Sequence, residues 1–303
     1  MLDYLTQGYR VSDVFAKAFG PLFYKLCFPD DPIVRLFSRV QPYSITDIFR
    51  AKSVLDYMEL SLRTNPGDVI ECGTFEGGMS ILMGLRLREL DFQNSKVHLC
   101  DTFGGLPNPT PGVDSHYQAG LFNISQQEVE ATIESYRLKD SCVFHKGLFA
   151  DTLPNISFPR GLAFAHIDGD LYASTVDCLK HVYPQLLPGG VLVLDDFYDQ
   201  SGGVMLAVHE HITSTHEVVH LGPVGQAAII KGMTKESADV PCFEAVISNP
   251  KGNNRTFVLS SARLQQMRPY VFFVAAVAKQ LDDMSGMVEA FRCYEKLCRD
   301  GKT

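Results

Sequence analysis

Residues 161–170 read GLAFAHIDGD and residues 190–196 read GVLVLDD. Each stretch is a run of apolar residues bounded by turn residues, which is typical of a strand buried on both faces of a parallel sheet. Each run ends in acidic residues where the strand leaves the core. Because the carboxyl ends of parallel strands form the ligand crevice of an open α/β sheet, we expect these acids to meet at one edge.

Three of these acids, Asp168, Asp195 and Asp196, form the first candidate site. Carboxylates held close together repel one another unless a cation joins them. Oxygen ligands select a hard cation, so the pattern favours Mg²⁺, Mn²⁺ or Ca²⁺ over Zn²⁺. The alternative interpretation is that Asp195 and Asp196 cap the loop or helix that follows, as aspartate often does.

From residue 68 onward, strand-like apolar runs alternate with helical stretches. The runs lie at 68–72, 96–101, 141–146, 161–168 and 190–195, and the helices near 78–90, 125–137, 173–187 and 203–214. This alternation predicts βαβ units and a doubly wound, mostly parallel sheet. Two further runs, 217–220 and 226–231, are too close for a parallel crossover, so we predict that they close a seven-stranded sheet as an antiparallel hairpin.

The chain divides into three predicted parts. Residues 1–65 are expected to form a helical cap or lid, with a helix that begins at Thr46 as its N-cap, and residues 66–232 form the α/β domain. Residues 233–303 are expected to be a C-terminal appendage with two helices, over 263–279 and 286–297. A single helical hairpin cannot bury its own apolar face, so it needs the main domain or a partner chain, and we expect a homodimer.

Composition excludes several classes of partner. The net charge is −8 and no Lys/Arg-rich run occurs, which argues against nucleic acid and against an anionic membrane surface.

The longest apolar stretches are too short to span a bilayer, and charged residues interrupt any signal-peptide core at the N-terminus. The eight cysteines are scattered without a CxxC pair, so we expect a cytoplasmic protein with reduced thiols.

A second candidate site lies at residues 68–78, which read DVIECGTFEGG. This is a strand that runs into a glycine-rich turn and then a helix, and glycine lets the backbone approach a ligand closely. The spacing departs from the GxGxxG of dinucleotide-binding folds. Because a carboxylate, Glu71, precedes the first glycine, the turn favours a cationic ligand such as S-adenosylmethionine over a phosphate.

The next strand ends at Asp101, which is followed by Thr102. An acidic residue at the end of the second strand is placed to accept the ribose hydroxyls of a nucleoside. The alternative is that Asp101 forms an Asx-turn before the glycines at 104 and 105.

Four segments together resemble the macrocin O-methyltransferase family: residues 71–78, 101–107, 166–175 and 188–196, within a likeness that covers roughly residues 40–231. The resemblance implies a Rossmann-like class I methyltransferase fold. It also implies S-adenosylmethionine and Mg²⁺ (or Mn²⁺) as cofactors, and methylation of a hydroxyl group on the sugar of an antibiotic or another natural product.

The resemblance also implies roles for individual positions. The metal ligands would be Asp168, Asp195 and Asp196, with Asp168 as the candidate proton acceptor. Substrate contacts would come from Tyr43, in a segment similar to the mobile lid of that family, and from Tyr172. The cofactor contacts would be Glu71, Gly73, Thr74, Gly77, Asp101, Thr102 and His166.

The acceptor is a small molecule with adjacent hydroxyl groups in this interpretation. Methyl transfer needs a well-positioned oxygen nucleophile, and a metal lowers the pKa of an alcohol that it binds. Two vicinal hydroxyls would chelate the ion, which suits a sugar diol or a catechol. The resemblance favours the sugar. A non-catalytic S-adenosylmethionine-binding module is the alternative from another class, and a nicotinamide-dependent oxidoreductase is disfavoured because GxGxxG is missing.

Overall fold

The strands that the alternating pattern predicts lie in one mixed sheet. The computed structural model describes residues 16–22, 24–26, 28–197, 203–212, 216–238, 243–248 and 254–260. Its strands are β1 (Asp68–Cys72), β2 (Val97–Asp101), β3 (Cys142–Lys146), β4 (Leu162–Ile167), β5 (Leu186–Leu194), β6 (Glu217–Leu221), β7 (Ala227–Thr234), β8 (Phe243–Ser248) and β9 (Asn254–Ser260). They are hydrogen-bonded in the order β3-β2-β1-β4-β5-β7-β6-β9-β8.

The first seven strands confirm the predicted fold class. Strands β1 to β5 pair in parallel, and β7 runs antiparallel to both β5 and β6. All residues of β1 and β4 are buried, as expected for central strands covered on both faces. The predicted hairpin is also confirmed, because only a short turn joins β6 to β7.

Helices cover both faces of this sheet. They are α1 (Pro32–Val40), α2 (Ile48–Thr64), α3 (Gly78–Glu89), α4 (Gln126–Ser135), α5 (Phe149–Thr152), α6 (Tyr172–His181) and α7 (Gly203–Ile212). Residues that alternate along a strand point to opposite faces. Accordingly, Val69 packs in the core that holds α1 to α4, whereas Ile70 packs in the core that holds α6 and α7.

Helix α2 begins one residue later than the sequence predicts. Its N-cap is Asp47, whose Oδ1 accepts hydrogen bonds from the backbone N–H groups of Phe49 at 2.8 Å and Arg50 at 3.1 Å. The prediction of Thr46 as the cap was therefore wrong. Asp47 has the extended backbone conformation of an N-cap and supplies the carboxylate that satisfies these two amides.

The sheet continues beyond the seven strands that the sequence predicts. Strand β9 adds in parallel to β6, and β8 pairs with β9 in an antiparallel hairpin. Both strands lie in the segment predicted as an appendage. The two helices predicted over 263–279 and 286–297 lie outside the described residues.

Within the described ranges, no helix is both long enough and apolar enough to cross a membrane.

Candidate functional site

The loops that follow β1, β2, β4 and β5 converge on a cavity of about 270 Å³. Most residues predicted from the sequence line this cavity: Tyr43, Glu71, Gly73, Thr74, Asp101, Thr102, His166, Asp168, Asp195 and Asp196. Gly77 and Tyr172 do not. The carboxyl edge of the parallel strands is therefore where the structure assembles the candidate site, as the open α/β architecture requires.

Each of these four loops contains a non-glycine residue with a left-handed backbone. The φ angles are 44° at Phe75, 48° at Phe103, 58° at Asp170 and 56° at Asp196. Such conformations are costly for residues with a Cβ and cluster at functional sites. Side chains along β5 alternate between the two faces of the sheet, and the left-handed backbone at Asp196 ends this alternation. Both Asp195 and Asp196 therefore have ligand atoms near the same acid, Asp168.

Four aspartates meet at the ends of β4 and β5. Ligand atoms of His166, Asp168 and Asp195 lie within 4.8 Å of one another, and so do those of Asp168, Asp170 and Asp196. Asp168 belongs to both groups. Burial, followed by the charges of Asp195 and Asp196, raises the pKa of the Asp168 carboxyl well above its usual value. Asp170, which lies in the same motif, was not among the predicted ligands.

Asp195 accepts a hydrogen bond on one carboxylate oxygen and has cationic neighbours on both sides. Gln226 donates from Nε2 to Oδ1 at 2.5 Å, and His166 Nε2 lies 3.3 Å from the same oxygen. The Arg50 Nη1 atom lies 3.7 Å from Oδ2. Burial would raise the pKa of Asp195, but the charges of His166 and Arg50 outweigh it and hold that pKa below its usual value.

Arg50 is a site residue that the sequence analysis missed. Its Nε donates to Asp47 Oδ2 at 2.9 Å, and its Nη1 lies 3.6 Å from Asp196 Oδ1. The acids at the end of β5 therefore have a cationic neighbour, although none is close in sequence. The spacing of Asp47 and Arg50 on one helix indicates a local ion pair, but only the tertiary fold brings that helix to the sheet edge.

His166 lies between the two candidate sites. Its Nδ1 is 3.1 Å from Glu71 Oε1, and Glu71 Oε2 accepts a hydrogen bond from the Ser80 hydroxyl. Burial lowers the pKa of the imidazole, but the charges of Asp195 and Glu71 outweigh that effect and raise the pKa well above its usual value. His166 thus connects the acid of the glycine-rich turn to an acid at the end of β5.

Asp101 organises the two loops around it. Its Oδ2 accepts from the backbone N–H groups of Thr74 at 2.8 Å and Phe75 at 3.2 Å, and its Oδ1 accepts from Phe103 N–H at 2.8 Å. The last bond is the local turn considered as the alternative to a ribose contact. The hydroxyls of Thr74 and Thr102 also reach this carboxylate, at 3.5 Å from Oδ2 and 3.4 Å from Oδ1. The Thr102 hydroxyl donates to Gly105 O at 2.7 Å.

Glycines allow two close approaches at the cavity. A Cβ on Gly73, which has φ of +91°, would lie 1.9 Å from the carbonyl oxygen of Asp168, so the glycine-rich turn rests directly on the aspartate loop. A Cβ on Gly78 would lie 2.3 Å from Tyr43 O, which places the Tyr43 segment against the start of α3. Gly77, which has φ of +82° and lies outside the cavity wall, has Val129 of α4 at 2.9 Å from the position of its missing Cβ.

Tyr172 lies outside the cavity wall. It is the first residue of α6, and its hydroxyl donates to Glu210 Oε2 on α7 at 2.7 Å. Its backbone N–H donates to Asp114 Oδ1 at 3.0 Å, which ties the loop after β2 to α6. The structure therefore gives Tyr172 a contact between helices rather than a place beside the acids.

This sheet order and the site at its carboxyl edge define a Rossmann-like class I methyltransferase fold. The solved structure of the O-methyltransferase NovP superposes with a TM-score of 0.58 and 28% identity over 62% of this chain and 82% of that chain. The calicheamicin methyltransferase CalS11 superposes with a TM-score of 0.54 and 21% identity over 69% of this chain and 90% of that chain, which supports the fold alone.

The family follows from the sequence match. Residues 44–221 match the macrocin O-methyltransferase (TylF) family, more than half of the chain. The chain belongs to this family, which confirms the resemblance seen in its motifs.

Three curated relatives are 34–39% identical to this chain. The tetracenomycin relative from Streptomyces olivaceus, named "8-demethyl-8-(2,3-dimethoxy-alpha-L-rhamnosyl)-tetracenomycin-C 4'-O-methyltransferase", is 39% identical over 44% of this chain and 53% of its own length. The demethyldecarbamoylnovobiocin O-methyltransferase of Streptomyces niveus is 34% identical over 51% and 62%. The mycinamicin III 3''-O-methyltransferase of Micromonospora griseorubida is 35% identical over 49% and 62%. The chain thus spans about half to three fifths of their length.

Proposed function

We propose that this protein transfers the methyl group of S-adenosylmethionine to a hydroxyl group on the sugar of a small-molecule natural product, with Mg²⁺ or Mn²⁺ bound at the aspartate cluster. One observation carries the proposal. Four strand-end aspartates meet in a cavity that also contains the carboxylates of Glu71 and Asp101. Folding alone does not explain such a concentration of acids at one sheet edge.

The donor set fits a hard divalent cation. Asp168, Asp195 and Asp196 would hold the ion, with Asp170 beside them, and all four offer carboxylate oxygens. Arg50 lies at 3.6–3.7 Å from two of these carboxylates, too far to fill their acceptor sites with short hydrogen bonds. Mg²⁺ and Mn²⁺ match this chemistry, whereas Zn²⁺ prefers nitrogen and sulfur ligands.

The other half of the cavity fits a cationic nucleoside. Glu71 would face the positively charged amino-acid part of the cofactor, and Asp101 would accept hydrogen bonds from the ribose. The backbone of Gly73 allows close approach at this point. Among the described residues that line the cavity, the lysines and arginines are Lys17 and Arg50, and Arg50 already faces acids. This acidic lining supports S-adenosylmethionine over a phosphate-bearing cofactor.

S-adenosylmethionine would supply the methyl group and leave as S-adenosylhomocysteine, while the acceptor hydroxyl loses its proton. The divalent cation would lower the pKa of that hydroxyl. Asp168 is the candidate to accept the proton, because it lines the cavity and belongs to both groups of candidate ligands. Tyr43 lines the cavity from the segment packed on α3 and is the candidate substrate contact on that side.

The choice of a sugar acceptor rests on the relatives. Their names describe methylation of antibiotic molecules, and one of them contains a rhamnosyl group. The aspartate cluster alone would serve a catechol equally well, because a catechol also offers two adjacent oxygens to a cation. A homodimer stays the predicted assembly.

A direct assay separates these possibilities. The protein is incubated with S-adenosylmethionine carrying a labelled methyl group, Mg²⁺ and either a rhamnosylated antibiotic scaffold or a simple catechol, with and without EDTA. Label is expected on the sugar, and EDTA should abolish its transfer until Mg²⁺ is restored. Transfer to the catechol alone would overturn the sugar assignment. Binding of S-adenosylhomocysteine with no transfer to any hydroxyl would favour the non-catalytic module.

A further inference from the structure

Gln226 supports the aspartate cluster from behind. It is 1% exposed, precedes β7 and does not line the cavity. Its Nε2 donates to Asp195 Oδ1 at 2.5 Å and lies 3.5 Å from the backbone carbonyl oxygen of Arg50. Gln226 therefore touches both the strand-end acid and the helix that brings a cation to it.

The backbone holds this side chain in a fixed place. Gln226 N–H donates to Pro223 O at 2.9 Å, and Gln226 O accepts from Gly222 N–H at 2.8 Å, so the hairpin turn uses both of its backbone groups. The adjacent residue, Ala227, is opposite Leu194 in the antiparallel register of β5 and β7. Asp195 directly follows Leu194, and this register places the amide beside the Asp195 carboxylate.

The oxygen of the Gln226 side-chain amide has no hydrogen bond to offset its burial. Gln226 Oε1 is buried and has no hydrogen-bond partner within the described part of the chain. The amide cannot be reversed to relieve this, because the ionised carboxylate of Asp195 only accepts hydrogen bonds. An unsatisfied buried oxygen destabilises a folded protein. The unsatisfied oxygen is a cost of placing an amide at this position, and the hydrogen bond to the buried Asp195 carboxylate offsets it.

We infer that Gln226 is a positioning residue for the metal: by fixing Oδ1 of Asp195, it orients this carboxylate so that Oδ2 is available to a divalent cation. The inference rests on the proposed metal site and adds a residue to it. Partners that hydrogen-bond to metal ligands set their orientation, and their loss typically weakens metal binding about 10-fold to 100-fold.

The test uses Gln226→Met, which keeps the length of the side chain and removes both polar atoms. Mn²⁺ binding to the full-length protein is measured by calorimetry and by electron paramagnetic resonance, without any acceptor. We expect Mn²⁺ affinity to fall roughly 10-fold or more. The affinity for S-adenosylhomocysteine should not decrease.

Gln185→Met is the matched control. Gln185 is partly buried and donates from Nε2 to His181 O at 2.9 Å, in the turn after α6. The same substitution there should leave Mn²⁺ affinity unchanged. If Gln226→Met does not fold, Gln226→Asn keeps the amide but shortens its reach, and it should show the same loss of Mn²⁺ affinity.

The outcomes separate this inference from the function on which it rests. Unchanged Mn²⁺ affinity in a folded Gln226 variant overturns the positioning role and leaves the proposed function standing. A parallel loss of stability, cofactor affinity and metal affinity also overturns it, because that pattern indicates a purely structural residue. If the unsubstituted protein binds no Mn²⁺, the metal site itself fails, and this is evident before any variant is compared.

Discussion

The acids at the ends of β1 and β2 differ from those at the ends of β4 and β5 in the partners that they have. Glu71 and Asp101 are held by a hydroxyl, an imidazole and three backbone amides. Asp168 has no hydrogen-bond donor on its carboxylate within the described ranges, and it faces the carboxylates of Asp195 and Asp196. We call Glu71 and Asp101 the hydrogen-bonded acids, and Asp168, Asp195 and Asp196 the clustered acids.

This difference shows how to separate two uses of buried acids. An acid whose oxygens accept hydrogen bonds from the protein shapes the backbone around it, as Asp101 does for two loops. An acid whose nearest neighbours are other acids remains unfavourable until a cation or a proton arrives. The hydrogen-bonded acids therefore belong to the architecture as well as to the cofactor site, whereas Asp168, which faces two other carboxylates, is favoured by a bound cation or proton.

The largest expected effect comes from the clustered acids. Asp196→Asn removes one charge from the candidate metal site, so the rate of methyl transfer should fall roughly 100-fold or more, because metal assistance contributes several kcal/mol. Mn²⁺ affinity should fall with it. Calorimetry with S-adenosylhomocysteine should show an unchanged affinity, since Asp196 follows β5 rather than β1 or β2. Full activity of this variant would show that the clustered acids are not needed to bind a metal ion, and the distinction between the two groups of acids would fail.

The next effect concerns the cation beside the clustered acids. Arg50→Met leaves Asp47, Asp195 and Asp196 without the guanidinium that faces them, and breaking such a buried pair costs about 3 kcal/mol. We expect the free energy of unfolding, measured in denaturant without divalent ions, to fall by about that amount. Added Mg²⁺ should restore part of it, because a second cation then offsets the same carboxylates.

Lys52→Met is the matched control for this variant. Lys52 lies on the same helix and pairs with Asp56 near the surface, with a distance of 2.6 Å between Nζ and Oδ2. Its loss should cost about 1 kcal/mol or less, and Mg²⁺ should not restore it. A Mg²⁺ response of the same size in both variants would contradict the assignment of Arg50 to the cluster.

The smallest effect is expected at Asp101, one of the hydrogen-bonded acids. Asp101→Ala should weaken S-adenosylhomocysteine binding at least tenfold, about 1.4 kcal/mol, because the ribose contact is lost and the Thr74 and Phe103 amides lose their acceptor. Mn²⁺ affinity should stay the same. An unchanged cofactor affinity would show that Asp101 serves the loops alone and would remove the ribose assignment.

Local patterns were sufficient to predict the strands and the edge at which the acids meet. Buried parallel strands are continuous apolar runs, and parallel strands deliver their carboxyl ends to one edge, so the positions of Asp168, Asp195 and Asp196 follow from the sequence. Their partners do not. Arg50 and Gln226 reach Asp195 from distant segments, and no spacing in the sequence indicates those contacts.

Three other differences between the sequence predictions and the structure also arise from long-range contacts. Gly77 belongs to the glycine-rich turn, but only the packing of α4 shows that its face is covered by Val129. Tyr172 follows the aspartate loop, but the bond of its hydroxyl to Glu210 depends on where α7 lies. Strands β8 and β9 come from a mixed, polar segment, and their pairing with β6 is a long-range contact that periodicity does not encode.

The contact between Gly73 and the carbonyl oxygen of Asp168 limits how this protein can be rebuilt. No other residue fits at position 73 without displacing the loop that follows β4. A designer who exchanges the glycine-rich turn with that of another methyltransferase must therefore transfer the aspartate loop with it, as a single unit. Chimaeras that divide the chain between β1 and β4 should be made only between parents in which these two loops share the same backbone path.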